Sequence, residues 1–128
     1  MLLFKRLFFS LLLLIATSSF AKTGVTITSP DKNISFQINT GPDGLVYRVS
    51  YKGNFLINDS RLSISFRQGG EFGSNITLGK PVFKTMEEEY DLIIGKTSHV
   101  HSLSNEVMVP VIETGGLKRT LNIEIRIF

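Results

Sequence analysis

Two histidines separated by one residue are the first candidates for chemistry in this sequence. His99 and His101 would project from the same face of a strand, a spacing that can serve a metal ion. Because the chain contains no cysteine, the remaining ligands would have to be carboxylates such as Glu106 or Asp91. Nothing in the sequence fixes that geometry, so the pattern favours partly exposed strand histidines over a metal site.

An acidic run is the second candidate. Glu87, Glu88 and Glu89, with Asp91, could supply oxygen ligands to calcium. Consecutive carboxylates on an extended chain face opposite ways, so a shared ion would require a tight loop. A carboxylate pair for sugar hydrolysis also lacks support, since its members must lie about 5–10 Å apart in a shaped pocket. We therefore predict a solvated acidic loop, and no catalytic or metal-binding residue.

Aromatic side chains are the third candidate. Tyr47, Tyr51 and Tyr90 could stack on sugar rings, but aromatic residues that alternate along a strand are more often part of a core. The sequence therefore leaves the substrate-binding residues unknown.

The first 21 residues are typical of a secretion signal. Lys5-Arg6 provides the positive charge, Leu7 to Ala16 forms the apolar segment, and Ser19-Phe20-Ala21 provides small residues before the cut. We place cleavage between Ala21 and Lys22. The apolar segment is shorter than the roughly 20 residues needed to cross a bilayer, so we expect no stable membrane anchor. The sequence predicts a secreted protein, in the periplasm.

The mature chain, residues 22–128, would form one domain with little net charge. Loss of two basic residues with the signal leaves 12 basic residues against 11 acidic ones, a net charge of +1. Without a basic stripe we expect no nucleic-acid partner. Because there is no cysteine, no disulfide can stabilise the fold, and stability must come from the core or from partners.

Alternation of apolar and polar residues dominates the mature chain. One apolar and one polar face per strand is typical of antiparallel sheets that are buried on a single side. The sequence therefore predicts an all-β, antiparallel sandwich that follows a signal-peptide helix. The clearest alternating segments are residues 34–39, 47–51, 62–67 and 121–127.

Proline and glycine mark the expected interruptions. Pro110 cannot donate a hydrogen bond to a neighbouring strand, so we expect its strand to lie at a sheet edge or to be bulged there. Residues 68–80 contain four glycines, which predicts one long loop.

The order of several motifs resembles the N-terminal domain of glycoside hydrolase family 97. Ile27-Thr28-Ser29-Pro30-Asp31 is similar to the opening of that domain, and Tyr47 to Gly53 and then Ser60-Arg61-Leu62 are similar to its next segments. Asn105-Glu106-Val107 and Leu121 to Phe128 align more loosely with later ones. The chain departs from the family at residues 88–96, where the family usually carries a tryptophan-rich segment.

The resemblance implies a β-sandwich that precedes a catalytic (β/α)₈ barrel and a small C-terminal β domain. It implies calcium-dependent enzymes acting on α-glucosides or α-galactosides, with the catalytic carboxylates and most calcium ligands on the barrel. The one calcium-binding glutamate of the sandwich would lie beyond residue 128. No catalytic or metal residue is therefore placed on this chain, and a barrel of roughly 250 residues cannot be contained in it.

We therefore expect an incomplete, non-catalytic N-terminal β-sandwich of a secreted family 97-like α-glycosidase. Its partner would be the catalytic barrel, and an α-linked oligosaccharide is a further expected ligand. A free-standing extracytoplasmic carbohydrate-binding module is the second hypothesis, and a structural or adhesive β domain is the third.

Overall fold

The computed structural model describes residues 24–95 and 98–128, which are mainly β structure. All pairings between their strands are antiparallel, and no helix occurs among these residues. The predicted all-β, antiparallel class is confirmed. The strands are β1 (Gly24–Thr28), β2 (Ile34–Gly41), β3 (Gly44–Tyr51), β4 (Asn54–Arg61), β5 (Ile64–Phe66), β6 (Gly70–Phe72), β7 (Ile76–Leu78), β8 (Val82–Asp91), β9 (His99–Glu113) and β10 (Thr120–Ile127).

The predicted signal peptide and its helix, with the cleavage site between Ala21 and Lys22, lie outside the described residues and stay predictions. In the part of the chain that is described, no helix has the length and apolarity needed to cross a bilayer.

The strands form two larger sheets and one short ribbon. In the first sheet, β1 to β4 follow one another as an antiparallel meander. In the second sheet the long strand β9 is central, with β10 on one edge and both β8 and β7 on the other. The ribbon consists of β5 and β6. β9 thus joins three other strands, and the second sheet is organised around it.

The two sheets pack face to face through the apolar sides of their strands. Val107, Val109 and Val111, which alternate along β9, are completely buried. Ile38 of β2 is equally inaccessible, and Leu45 of β3 almost so. β1 contacts β9 and β2 contacts β7, which closes the layer between the sheets. Burial thus recurs every second residue along β9, as the period-two pattern predicts. The remaining core residues are Val25, Ile27, Phe72, Leu78 and Ile127.

The prediction for Pro110 is wrong. β9 is an interior strand, and Pro110 lies opposite Asn122 of β10 in an unbroken register. On the other edge of β9 the partner changes at this point, from β8 at Met108 to β7 at Val111. Pro110 therefore lies at the step between two partners, where a missing N–H costs no ladder hydrogen bond. The carbonyl oxygen of Pro110 accepts a hydrogen bond from the N–H of Gly79 at 2.7 Å.

Two segments that we expected to be loops contain strands. Residues 68–80 include β6 and β7, each of only three residues. Glu87, Glu88 and Glu89 lie in the second half of β8 rather than in a loop. Three residues are too few to show alternation, and a strand exposed on both faces has no apolar face to reveal it.

The turn between β1 and β2 is built by polar side chains. Ser29 is fully buried, and its hydroxyl donates to Asp31 Oδ1 at 2.5 Å while accepting the N–H of Ile34 at 2.9 Å. Asp31 also accepts the N–H of Asn33 at 3.0 Å. The hydrogen bonds from Ser29 and then Asn33 lower the pKa of Asp31. The Asn33 carbonyl accepts the N–H of Lys52 at 2.7 Å, which ties this turn to the β3–β4 hairpin.

An ion pair closes the β9–β10 hairpin. Glu113 is buried, and Arg119 donates to its two carboxylate oxygens at 2.9 and 2.6 Å. The Arg119 guanidinium also lies 4.9 Å from the Phe66 ring centre and 5.7 Å from that of Phe72, so it holds the β5–β6 ribbon against the second sheet. The hydrogen bond from Arg119 lowers the pKa of Glu113.

Replacing Gly44 by alanine should destabilise the fold more than the same change at Gly53. Both residues have positive φ, +110° and +82°, so alanine costs about 1–2 kcal/mol at either position. A Cβ at Gly44 would also collide with the carbonyl oxygen of Gly73, which Leu45 N–H fixes at 2.8 Å, whereas Gly53 faces open space. We expect Gly44→Ala to cost about 1–3 kcal/mol more in urea unfolding. Equal losses would contradict this packing.

The Glu113–Arg119 pair should make stability depend on pH. Because folding lowers the Glu113 pKa, the pair stabilises the protein above the unfolded-state pKa, and this contribution is lost as pH falls through the folded-state pKa. We expect Glu113→Gln to lower the urea midpoint at neutral pH and to match wild type more closely near about pH 3. The exposed-turn variant Asp43→Asn is the control. A Glu113→Gln deficit that stays constant with pH would contradict the role of this charge.

Candidate functional site

The second sheet extends into a two-stranded arm, defined here as residues 87–95 and 98–103. β10 pairs with β9 only from Asn105 onward, so the earlier residues of β9 have β8 as their sole strand partner in the described chain. Glu89 pairs with His101 and Asp91 with His99 across the arm. Side chains with odd numbers on β9 share the face that becomes the buried core after Asn105. The arm thus continues the core face of the sandwich as a charged, exposed surface.

The two histidines of the arm bind carboxylates of the opposite strand. His99 Nδ1 lies 2.8 Å from Asp91 Oδ1, and His101 Nε2 lies 2.8 Å from Glu87 Oε1 and 4.0 Å from Glu89 Oε1. The hydrogen bond to Glu87 raises the pKa of His101 above its ordinary value. His101 can therefore hold a proton that it shares with Glu87, and the two His–carboxylate contacts link the strands of the arm.

The predicted metal ligands are only partly brought together. Asp91 meets His99, as the sequence allowed, but Glu106 lies on the opposite face of β9 and binds Arg126 at 2.7 Å. Among residues 24–95 and 98–128, no group of three or more His, Asp or Glu side chains has a geometry that could hold a metal ion. The histidines are exposed by about half, in accordance with the prediction of partly exposed strand histidines.

The three consecutive glutamates do not converge. Glu87 and Glu89 share the face that carries His101, and Glu88 lies on the other face, 3.9 Å from Arg126 Nη1. The alternation expected for an extended chain is confirmed, and it keeps these carboxylates from sharing one ion.

Residues from separate family-like motifs meet where the arm joins the sandwich. Asn105 donates through Nδ2 to the Thr28 carbonyl at 2.9 Å and accepts from Thr85 Oγ1 at 3.0 Å, which links β9 to β1 and β8. Glu106 accepts two hydrogen bonds from Arg126 at 2.7 and 3.0 Å. The bond from Arg126 is the main cause that lowers the pKa of Glu106. These contacts hold neighbouring strands together, and Glu106 is engaged by Arg126.

The aromatic residues divide between core and surface. Tyr47 stacks on Phe36 with a ring-centre distance of 5.6 Å, and both are partly buried, as predicted. The prediction that these aromatic residues belong to a core is wrong for Tyr51 and Tyr90, because each is nearly half exposed. Tyr51 lies 5.3 Å from the Lys52 ammonium.

Sequence reasoning missed a set of exposed apolar side chains. Ile93 and Ile94 at the tip of the arm are 100% and 89% exposed, and Leu56 of β4 is 69% exposed next to Phe55. The run Leu92-Ile93-Ile94 between an acidic strand and Gly95 was the available signal. Exposed apolar side chains at these two places are candidates for contact with another protein or domain.

Several solved enzyme structures are similar in fold to this chain. The chain is 24% identical to a glycoside hydrolase family 97 enzyme from Pseudoalteromonas sp. strain K8 solved with acarbose, with a TM-score of 0.74 over 80% of this chain and 15% of that one. Another structure from this strain contains panose, with the same values. A β-arabinopyranosidase is 22% identical, with a TM-score of 0.70 over 80% of this chain and 16% of that one. The chain thus spans about 15% of the length of these enzymes.

Family comparison agrees with the fold. No curated protein matches the chain. The family profile described as Glycosyl-hydrolase 97 N-terminal matches residues 27–128, which is most of the sequence. This match explains both the motif order noted in the sequence and the antiparallel sandwich. The chain belongs to the glycosyl-hydrolase 97 N-terminal family.

Proposed function

We propose that this chain is the non-catalytic N-terminal domain of a secreted family 97-like α-glycosidase, and that it packs on a catalytic barrel. The family match over residues 27–128 is the observation that carries the proposal. It is supported by the similar fold in family 97 enzymes, whose chains are several times longer than the matched part. Secretion rests on the signal-like first 21 residues of the sequence.

The electrostatics of the carboxyl groups support a non-catalytic role. A general acid in glycoside hydrolysis needs a raised pKa, so that it carries a proton at working pH. Asp31, Glu106 and Glu113 all have lowered pKa values, because each accepts hydrogen bonds that favour the ionised form. These three carboxylates accept hydrogen bonds that hold a turn or neighbouring strands together.

The exposed apolar residues provide a surface for the barrel. Ile93 and Ile94 project at the tip of the arm, and Phe55 and Leu56 lie on β4 of the first sheet. Burial of one such side chain contributes about 1.5–3 kcal/mol, so a few of them could stabilise contact with a second domain.

Calcium does not fit the acidic side chains of the described residues. Glu88 faces away from Glu87 and Glu89, and Glu106 and Glu113 are held by arginines. The calcium that the family resemblance implies would be held by other parts of a full-length enzyme.

A free-standing carbohydrate-binding module is the second candidate. The exposure of Tyr51 and Tyr90 favours it, because an accessible tyrosine ring can stack on a sugar. A coding sequence for a barrel joined downstream of residue 128 would favour the first candidate. Chemical-shift changes at Tyr51 or Tyr90 on adding α-linked oligosaccharides would favour the second.

The purified protein should not hydrolyse aryl α-glucosides or aryl α-galactosides. We expect no release of the aryl group above a buffer blank, with or without calcium, because Asp31, Glu106 and Glu113 have lowered pKa values and the proposed catalytic barrel is a separate domain. Glu106→Gln and Glu88→Gln are the matched controls. Turnover that co-purifies with the chain and disappears in either variant would overturn the non-catalytic proposal.

Export should remove the first 21 residues. We expect mass spectrometry of the exported protein to find Lys22 at the N-terminus, because Ser19-Phe20-Ala21 places small residues before the bond. Ala21→Leu is the control and should slow processing at this bond. Recovery of intact Met1 in a membrane fraction would contradict the secreted assignment.

A further inference from the structure

The turn between β2 and β3 contains an aspartate followed by a glycine. Pro42 and Asp43 form its exposed tip, and Gly44 begins β3 opposite Gly41. Proline fixes the first φ of such a turn and Gly44 supplies a positive φ of +110°, so the sequence suits the turn. The same two residues place the carboxyl carbon of Asp43 and the backbone nitrogen of Gly44 at the spacing of a five-membered ring.

The carboxylate of Asp43 differs from those of the other aspartates in its contacts. Within the described part of the chain, no hydrogen bond or ion pair engages it. It borders an open hollow of about 360 Å³ beside Ser74 and Asn75, so its side chain has room to rotate toward the backbone. Neighbouring side chains hold the other three aspartates: Asp31 by Ser29 at 2.5 Å, Asp59 by Arg48 at 2.5 Å and Asp91 by His99 at 2.8 Å.

The residue that follows Asp43 differs as well. Glycine has no Cβ, so no side chain shields the Gly44 nitrogen from the Asp43 carboxyl. The other aspartates precede Lys32, Ser60 and Leu92, whose side chains crowd the same approach. No asparagine of the sequence precedes a glycine. Among the four aspartates, all of them in described residues, Asp43 alone combines an unengaged carboxylate with an unhindered nitrogen.

We propose that Asp43 is a site of spontaneous isoaspartate formation. The Gly44 nitrogen attacks Asp43 Cγ, an N–Cγ bond forms, and the carboxyl C–O bond breaks, so the N–H hydrogen and the hydroxyl leave as water. Water then adds to one of the two carbonyls of the resulting succinimide. When it cleaves the bond between the Gly44 nitrogen and the main-chain carbonyl carbon, the backbone continues through Asp43 Cβ and Cγ. The product has the mass and the charge of the original chain.

Isoaspartate adds one carbon to the backbone where the fold has little room. Gly44 is buried, and a Cβ placed on it would lie 1.9 Å from the carbonyl oxygen of Gly73. That oxygen accepts the N–H of Leu45 at 2.8 Å, and the Leu45 carbonyl accepts the N–H of Leu62 at 2.8 Å. The modification therefore displaces Gly44 and loosens the contacts of β3 with the segments that flank the β5–β6 ribbon.

This inference goes beyond the proposed function, because it concerns the bond between two neighbouring residues of the first sheet and makes no use of a barrel. The attacking and attacked atoms belong to adjacent residues, so the reaction needs no partner surface. It proceeds over days to weeks, and unfolding measured on fresh protein, including the Asp43→Asn control above, is unaffected.

Ageing of the purified protein tests the site. Trypsin separates the four aspartates into four peptides, and peptide 33–48 contains Asp43 as its only aspartate. After several weeks at physiological temperature, this peptide should elute as two peaks of equal mass, and fragmentation should identify the second as isoaspartate. We expect several-fold more conversion at Asp43 than at Asp31, Asp59 or Asp91, which serve as controls within the same sample.

Two substitutions at the same position test the chemistry. In Asp43→Glu the charge is kept but attack would form a larger ring, so conversion should fall to the background of the other aspartates. In Asp43→Asn the same nitrogen displaces ammonia, which leaves more readily than water, so conversion should be faster and should appear as an increase in mass. Both variants retain Gly44 and its positive φ.

The urea midpoint tests the structural consequence. Fresh wild type and fresh Asp43→Glu should have similar midpoints, because the side chain at position 43 is exposed. After ageing, the midpoint of the wild type should fall in proportion to the converted fraction, and that of Asp43→Glu should stay unchanged. Wild type aged in guanidinium chloride shows how fast the bond converts without the restraint of the fold.

Each outcome decides the proposal. Conversion concentrated at Asp43, lost in Asp43→Glu and faster in Asp43→Asn, supports it. Conversion in guanidinium chloride but none in the folded protein overturns it, because the turn then keeps the carboxyl away from the nitrogen. Equal conversion at all four aspartates overturns it as well. Conversion at Asp43 with an unchanged urea midpoint overturns the loosening of β3. The activity test of the proposed function is independent of these results.

Discussion

The burial of Val107, Val109 and Val111 on β9 is the constraint on which the rest of the structure depends. These three side chains are completely inaccessible and stand at the centre of the layer between the two sheets. β9 pairs with β10 on one edge and with β8 and β7 on the other. The apolar sides of these three strands can therefore face the core only if β9 holds its position in the sheet. Because the chain has no cysteine, no disulfide can stabilise the fold, and the stability of the sandwich depends on burial along this interior strand.

The length of β9 explains why the molecule has both a core and an exposed arm. The strand runs for 15 residues, and β10 covers only the part from Asn105 onward. Before Asn105 the same face changes from valine to histidine, and β8 supplies glutamates and aspartate opposite it. The arm therefore has no apolar layer of its own, and it is held by strand pairing and by His–carboxylate pairs such as His101–Glu87. Such a ribbon is marginal alone and depends on the sandwich at its base.

The fold was predictable where alternation accompanied burial of one face, and less so at residues 62–67, where only Ile64–Phe66 form a strand and all three are exposed. The candidate site was less predictable than the fold. Strands with one buried side, such as residues 34–39 and 121–127, were found where expected, because burial imposes a period of two. The interior position of Pro110 was not predictable, since a sequence does not show that the partner strand changes beside it. The pairing of Glu113 with Arg119 could have been found, because they are opposite each other at the ends of a hairpin.

The residues that carry the family resemblance hold turns and strand junctions together. Ser29 and Asp31 build the first turn, Asn105 ties β9 to β1, and Glu106 binds Arg126 of the next strand. Each lies at a turn or a junction where a buried or partly buried polar group needs a defined partner. A different side chain at such a point would leave that partner unsatisfied, which constrains the sequence there without any substrate. These contacts therefore explain the motif order through the fold of the sandwich itself.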